Sequence, residues 1–379
     1  MAISILKSRP LVYKSLYIIG FFSPAWVASL LLWGDDRTSY GFQQAPLWFN
    51  ISKQVLQTAC IIMLLKPLKF KKLSLDIDSI LILSLIAASI SSAPALEAEF
   101  ILIQSSLKIA ILLLFLTYIK TSAKWNPGDI NLIFNLFTFG FIFQIALYIL
   151  IGHLPAHSIP GLLIRFNGVT NDGLSTSLIL PMFIPLVVRS KKRNLKLFLL
   201  FAMAVLTGSS FAIIAVPLLT LAYLAHNREF KLIGRISIVS TILVIIYFSE
   251  IISLLEIKSY SILTHLRFFL NIFKLDYGQP LTDCAEAFCE SFFELGFYMN
   301  PIYAVLVYIV YMRPLYFLIR YRPNEDSVAH DSVIFLGISL LIATLVHPVP
   351  LIPFASQLFF ITAAILQNSP YIHPIKKSY

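Results

Sequence analysis

Polar and apolar positions in this chain fall into long blocks, not the short rhythm of a water-soluble fold. Runs rich in Leu, Ile and Phe recur near 11–33, 50–66, 77–93, 100–119, 130–152, 173–189, 195–208, 210–226, 233–254, 299–319, 331–346 and 348–368. Most are about long enough for a helix to cross a hydrocarbon core of about 30 Å. The pattern predicts an all-α, polytopic membrane helix bundle of about twelve transmembrane helices. The block 195–226 needs a decision. As one helix it would run roughly 48 Å, too long for that core. Lys191, Lys192, Arg193 and Lys196 flank one end, and Arg228, Lys231 and Arg235 the other. Two basic ends belong on one side of the membrane, so the chain is expected to turn back at Thr207-Gly208-Ser209-Ser210. The first run follows Lys7 and Arg9 and is too long for a signal-peptide core, so it reads as a retained helix.

Composition sharpens this picture. The 379 residues are 58% hydrophobic and 13% charged, and mean hydropathy is +0.83. No segment of domain length has soluble composition, so residues 1–379 read as a single membrane domain. Charge then orients it. With the N-terminus inside, 22 of the 29 Lys and Arg fall in inner loops and six in outer ones, Lys108 lying within a span. The acids run the other way, seven inside and twelve outside. Both termini are therefore expected in the cytoplasm. The net charge of +10 is a topology signal that needs no nucleic acid to explain it.

Against this background the outer cations stand out. Arg165 lies in the loop 153–172, inside the stretch RFNGVTNDGLSTSL (165–178). Arg267 lies in the longest outer loop, 255–298, which also carries Asp276, Asp283, Glu286, Glu290 and Glu294. Residues 285–295 of that loop read as a short amphipathic helix at the interface. Either arginine fits two readings. One is an anchor that snorkels from a helix end. The other is a clamp whose planar fork matches phosphate oxygens, with Gly168 and Gly173 giving close approach. Lys108 sits mid-span beside Gln104. A charge at that depth faces a wet cavity or makes a structural hydrogen bond to a neighbouring helix.

Other motifs carry less. His347, in the turn His347-Pro348-Val349-Pro350, is a lone histidine. Cys284 and Cys289 are five residues apart and point apart on a helix, so a bridge between them needs irregular backbone. Asp76-Ile77-Asp78 imitates the D-x-D of sugar-nucleotide enzymes, but at a helix start acids serve as caps. The sequence has no P-loop, no H-E-x-x-H and no Cys/His metal spacing.

The outer-face pattern resembles the O-antigen polymerase and ligase superfamily. Members carry an R-x-x-G run followed by N-x-x-G/A opening a helix, as in Arg165-Phe166-Asn167-Gly168 and Asn171-Asp172-Gly173. A tight turn follows, to which Leu206-Thr207-Gly208-Ser209-Ser210 is similar. Next come an arginine near the start of a long periplasmic loop, as at Arg267, and a helix ending Glu-x-Gly, as at Glu294-Leu295-Gly296. The likeness covers about 160–320. It departs at the histidine that opens the last motif, which is Ala285 here and is followed by Glu286. A histidine mechanism does not carry over at that position, which tilts the reading from ligase toward polymerase.

The resemblance implies a GT-C-like glycosyltransferase in a bacterial inner membrane, with its site facing the periplasm. The donor would be a glycan on polyprenyl pyrophosphate, the surroundings the lipid bilayer, and a chain-length regulator protein a further partner. Arg165, Arg267 and Lys108 would take the diphosphate, with Asn167 and Asn171 shaping the pocket. Glu286 would accept the acceptor's proton, with Asp172 and Asp283 in reserve. No cofactor or metal is required if those cations neutralise the diphosphate. Two alternatives stay open. A ligase would transfer the glycan once to a lipid core. A transporter would do no chemistry, but such folds tend to show repeats and deep ionisable groups.

Overall fold

The computed structural model describes residues 2–31, 47–66, 68–72, 76–92, 110–152, 164–170, 173–237, 301–320, 328–344 and 353–367. Within them the chain is all-α apart from one short ribbon. The helices are α1 (Ala2–Leu31), α2 (Leu47–Leu64), α3 (Ile77–Ser92), α4 (110–118), α5 (Pro127–Ile151), α6 (Gly173–Ile179), α7 (Ile184–Val188), α8 (Arg193–Leu206), α9 (Ser210–His226), α10 (230–237), α11 (Pro301–Arg320), α12 (Val328–Thr344) and α13 (Pro353–Gln367). They fall on the apolar runs of the sequence. The interfacial helix expected at 285–295 lies outside the described residues.

Helix α5 shows why these residues are helical. Asn126 and Asp129 form a capping box, the Asn126 N–H donating to Asp129 Oδ2 at 2.7 Å. Pro127 at the first position gives up an N–H that would have no partner there. Gly152 ends the helix in the left-handed region at φ 68°. Between these stops lie 25 residues, a length of about 37 Å, and the most apolar 18-residue stretch among them has mean hydropathy 2.0. Among the described residues it is the one helix both long and apolar enough to cross a bilayer; six further apolar helices run 10–17 residues. Ile130, Ile133, Phe134, Phe137 and Phe141 face inward, while Phe139, Ile142, Ile149, Leu150 and Ile151 are more than half exposed. Both faces are apolar, and the same holds on α9, where Ile214 and Leu218 stand exposed.

The core is aromatic and joins distant segments. Phe22 meets Phe137 at 5.7 Å, Phe137 meets Phe183 at 5.5 Å, and Phe22 meets Phe354 at 5.3 Å. These edge-to-face contacts link α1, α5, α13 and the centre of the 173–188 segment.

Two features depart from the hydropathy reading. The run 173–189 is not one helix. Pro181 and Pro185 lack N–H donors and crowd the preceding turn, so a 3₁₀ turn, Leu180–Phe183, separates α6 from α7. This broken segment is the most enclosed of those described, every residue from 175 to 188 being buried. Ser339 of α12 donates to the Leu178 carbonyl at 2.9 Å, beside the break. The second departure is a two-stranded antiparallel ribbon, β1 (Leu68–Phe70) with β2 (Ile119–Thr121), where the sequence reads as loops. The expected turn between α8 and α9 is present. The Thr207 hydroxyl closes α8 by donating to the Ala204 carbonyl at 2.7 Å, and Thr207 Oγ1 accepts from the Ser209 N–H at 3.2 Å.

Among the described residues, four ion pairs join separate segments. They are Lys14 with Asp129, Arg313 with Asp78, Arg189 with Asp331 at 3.4 Å, and Arg193 with Glu229 at 3.5 Å. Tyr223 adds its hydroxyl to Asp331 at 3.2 Å.

Candidate functional site

The segment 164–170 has no regular structure, yet residues 166–170 are all buried. Buried backbone away from a helix must find partners for its N–H and C=O groups. Three elements supply them. Gln144, deep in α5 and 3% exposed, accepts from the Asn167 N–H at 2.8 Å and the Gly168 N–H at 3.0 Å through the one oxygen Oε1. The Phe166 N–H donates to the Leu206 carbonyl at 2.8 Å, which ties the segment to the end of α8. The Asn167 carbonyl accepts from the Thr170 hydroxyl at 3.1 Å and from the Thr176 hydroxyl of α6.

Packing fixes the rest. Gly168 has φ 63°, a conformation that favours glycine, and an added Cβ would sit 2.9 Å from the Phe141 ring. Across from it, a Cβ on Gly140 would meet the Gly168 carbonyl carbon at 2.7 Å. Helix and loop therefore touch backbone to backbone. At Gly173 the space a ligand would use is already taken: a Cβ there would lie 3.1 Å from the Thr207 carbonyl oxygen and 3.3 Å from Asn167 Oδ1. Its smallness serves the approach of α6 to the 206–209 turn.

The result is one cradle built from three separated pieces of sequence: RFNG, the Gly173 helix start, and the Leu206–Ser209 turn. Arg165 sits half-buried at its edge, before Phe166, which packs edge-on against Tyr148 at 6.3 Å. Asn167 lies at its centre, 0% exposed. Both polar atoms of the Asn167 side chain are buried and have no hydrogen-bond partner among the described residues. Around it Thr170, Ser175, Thr176 and Thr207 are all buried. A cluster this polar inside an apolar bundle needs a reason, and an amide with both ends unengaged sharpens the need.

Of the residues singled out from sequence, Arg165 and Asn167 come together here. Lys108, Asn171, Asp172, Arg267, Asp283 and Glu286 lie outside the described residues, as do His347, Cys284 and Cys289. Asp76 is a helix cap: its Oδ1 accepts from the Ser79 N–H at 2.9 Å and the Ser79 hydroxyl at 2.7 Å, while Asp78 pairs with Arg313. Those Ser79 bonds, the Arg313 guanidinium and Lys71 hold the Asp76 carboxyl below its ordinary range. Sequence reasoning missed Gln144, Thr170 and Thr176. The available signal was a lone amide inside the apolar run 130–152.

Comparison with protein-family models, with curated proteins and with solved structures finds no match to this chain.

Proposed function

We propose that this chain is a membrane glycosyltransferase that polymerises oligosaccharide repeat units carried on polyprenyl pyrophosphate, at the outer leaflet of a bacterial inner membrane. The observation that carries the reading is the cradle. It gathers what is described of three of the five motif pieces on which the resemblance rests, with Arg165 at its edge and the unengaged Asn167 amide within. A donor–acceptor amide beside an arginine suits a ligand bearing both hydroxyls and phosphate. The exposed apolar faces of α5 and α9 support placement in lipid, and twelve spans remain the proposed count. Transfer would break the donor C1–O bond and form a new one to the acceptor hydroxyl. The pyrophosphate leaves with the bonding electrons, and Arg165, Arg267 and Lys108 would stabilise the charge that develops on it. Glu286 would take the hydroxyl proton, with Asp172 and Asp283 in reserve for that role.

The test is direct. Purified protein is given a polyprenyl-pyrophosphate oligosaccharide, and the products are separated by size. A ladder supports polymerisation, a single shift requiring an added lipid-core acceptor supports ligation, and unchanged substrate argues for transport. Arg165→Ala and Arg267→Ala should each lose on the order of 10²-fold in rate, with Arg165→Lys a poor rescue of a bidentate contact. Near-parental rates in both alanine variants would sink the clamp.

A further inference from the structure

The ribbon joins two stretches that lie about fifty residues apart in sequence and are both rich in lysine. Its register sets Lys69 directly opposite Lys120, with Leu68 opposite Thr121 and Phe70 opposite Ile119. Side chains alternate across a strand, so Ile119 and Thr121 turn into the bundle, 0% and 7% exposed, while Lys69 and Lys120 share the outward face. Like charges directly opposite on a ribbon destabilise it. No ion pair joins either lysine to a carboxylate among the described residues. The nearby acids are committed elsewhere, Asp76 to its cap and Asp78 to Arg313.

More lysines follow. Lys66, Lys72 and Lys124 flank the strands, all exposed. Lys71 continues the ladder through its N–H to the Tyr118 carbonyl at 2.7 Å. Burial, partly offset by Asp76 and reinforced by Lys120, pushes the Lys71 ammonium below its ordinary value. The ribbon sits at the very ends of apolar helices. Thr121 donates to the Leu65 carbonyl just past α2, at 2.5 Å, and α4 runs straight into Ile119. On the other face of the ribbon from the lysines, Phe70 is 69% exposed, touching Phe115 edge-on at 6.1 Å. Lysines and an exposed aromatic ring at a helix end are the groups that suit a headgroup layer.

We infer that the β1–β2 ribbon is a docking surface for anionic lipid headgroups of the cytoplasmic leaflet, with phosphates between Lys69 and Lys120 and Phe70 seated at the interface. The headgroup anions would relieve the opposed ammonium pair. The fixed distance of the ribbon from the helix ends selects a phosphate held at membrane depth over one free in solution. This inference rests on the membrane reading but not on glycosyl transfer.

The test uses the full chain in vesicles, with Cys60, Cys284 and Cys289 changed to Ala and a bimane label at Ser122→Cys. Quenching by brominated phosphatidylglycerol is compared with quenching by brominated phosphatidylcholine. The anionic lipid should be enriched at the label, and added salt should reduce the enrichment. Lys69→Gln with Lys120→Gln should weaken the preference on the order of ten- to thirtyfold, while Lys69→Arg with Lys120→Arg keeps it. Equal quenching by the two lipids, or an unchanged preference in the glutamine pair, would overturn the proposal. So would displacement by inorganic phosphate beyond that of chloride at matched ionic strength, which would make the ribbon a site for free phosphate. Flotation beforehand separates one further outcome: a chain that stays out of the vesicles overturns the membrane reading and the ribbon with it.

Discussion

At the scale of single residues, Gln144 decides whether the loop holding Arg165 keeps its shape. One oxygen serves two backbone N–H groups in a buried region. Removing it leaves both donors buried and unsatisfied, at about 1–3 kcal/mol each. Gln144→Leu should therefore lower the melting temperature of the detergent-solubilised protein, by a loss on the order of 2–6 kcal/mol. An unchanged melting temperature would show that the loop finds other partners. Such a residue is hard to read in sequence. A single Gln barely dents the hydropathy of a 25-residue apolar run, and nothing local says that its partners lie more than twenty positions downstream. Arg165 was legible for the opposite reason, since a charge between apolar runs is conspicuous wherever it folds. Asn167 was legible only through its neighbours, and its unengaged amide emerges only once the surrounding elements are in place.

At the scale of elements, the apolar runs marked the helices well because helix-length blocks of Leu, Ile and Phe admit few other structures. The break in 173–188 was written in Pro181 and Pro185 but hidden by an apolar average that prolines hardly alter. The ribbon was not legible at all. Three-residue strands are too short for an alternation signal, and their pairing depends on where α2 and α4 end. Caps are the other element-scale device, and α3 offers a clean case. Asp76→Ala removes the acceptor for Ser79 and should cost about 1 kcal/mol of stability. The sign with pH follows from the depressed carboxyl. The cap contributes fully above the carboxylate's ordinary pKa and is lost as pH falls through the lower folded value. Thermal melts at neutral pH should separate the two proteins, and the gap should close in strong acid. A constant gap would mean that the Ser79 bonds do not depend on the charge.

At the scale of the whole molecule, the ion pairs speak to topology. Each joins two segments that the distribution of Lys and Arg puts on the same side: 14 with 129, 78 with 313, 189 with 331, and 193 with 229. The ribbon does the same for 68–70 and 119–121. The cradle joins segments assigned to the opposite side. The orientation read from the charge bias makes a sharp expectation. Cysteines at Asn171 and Gln279 should react with an impermeant thiol reagent on intact spheroplasts, and one at Lys192 should not. Labelling at Lys192 would reverse the orientation and remove the outward-facing site.

The backbone contact between Gly140 and Gly168 has a consequence for mutational tolerance. Where two side chains meet, enlarging one can be compensated by trimming the other. Here neither partner has anything to trim. A saturation scan should therefore show two narrow troughs at these positions, inside a helix and a loop whose other apolar residues accept exchange. Suppressors of Gly140→Ala should not arise at position 168. Trimming Val169, whose Cγ1 lies 2.7 Å from the added methyl, should restore function only in part, because the Gly168 carbonyl carbon and oxygen stay within 2.8 Å of it.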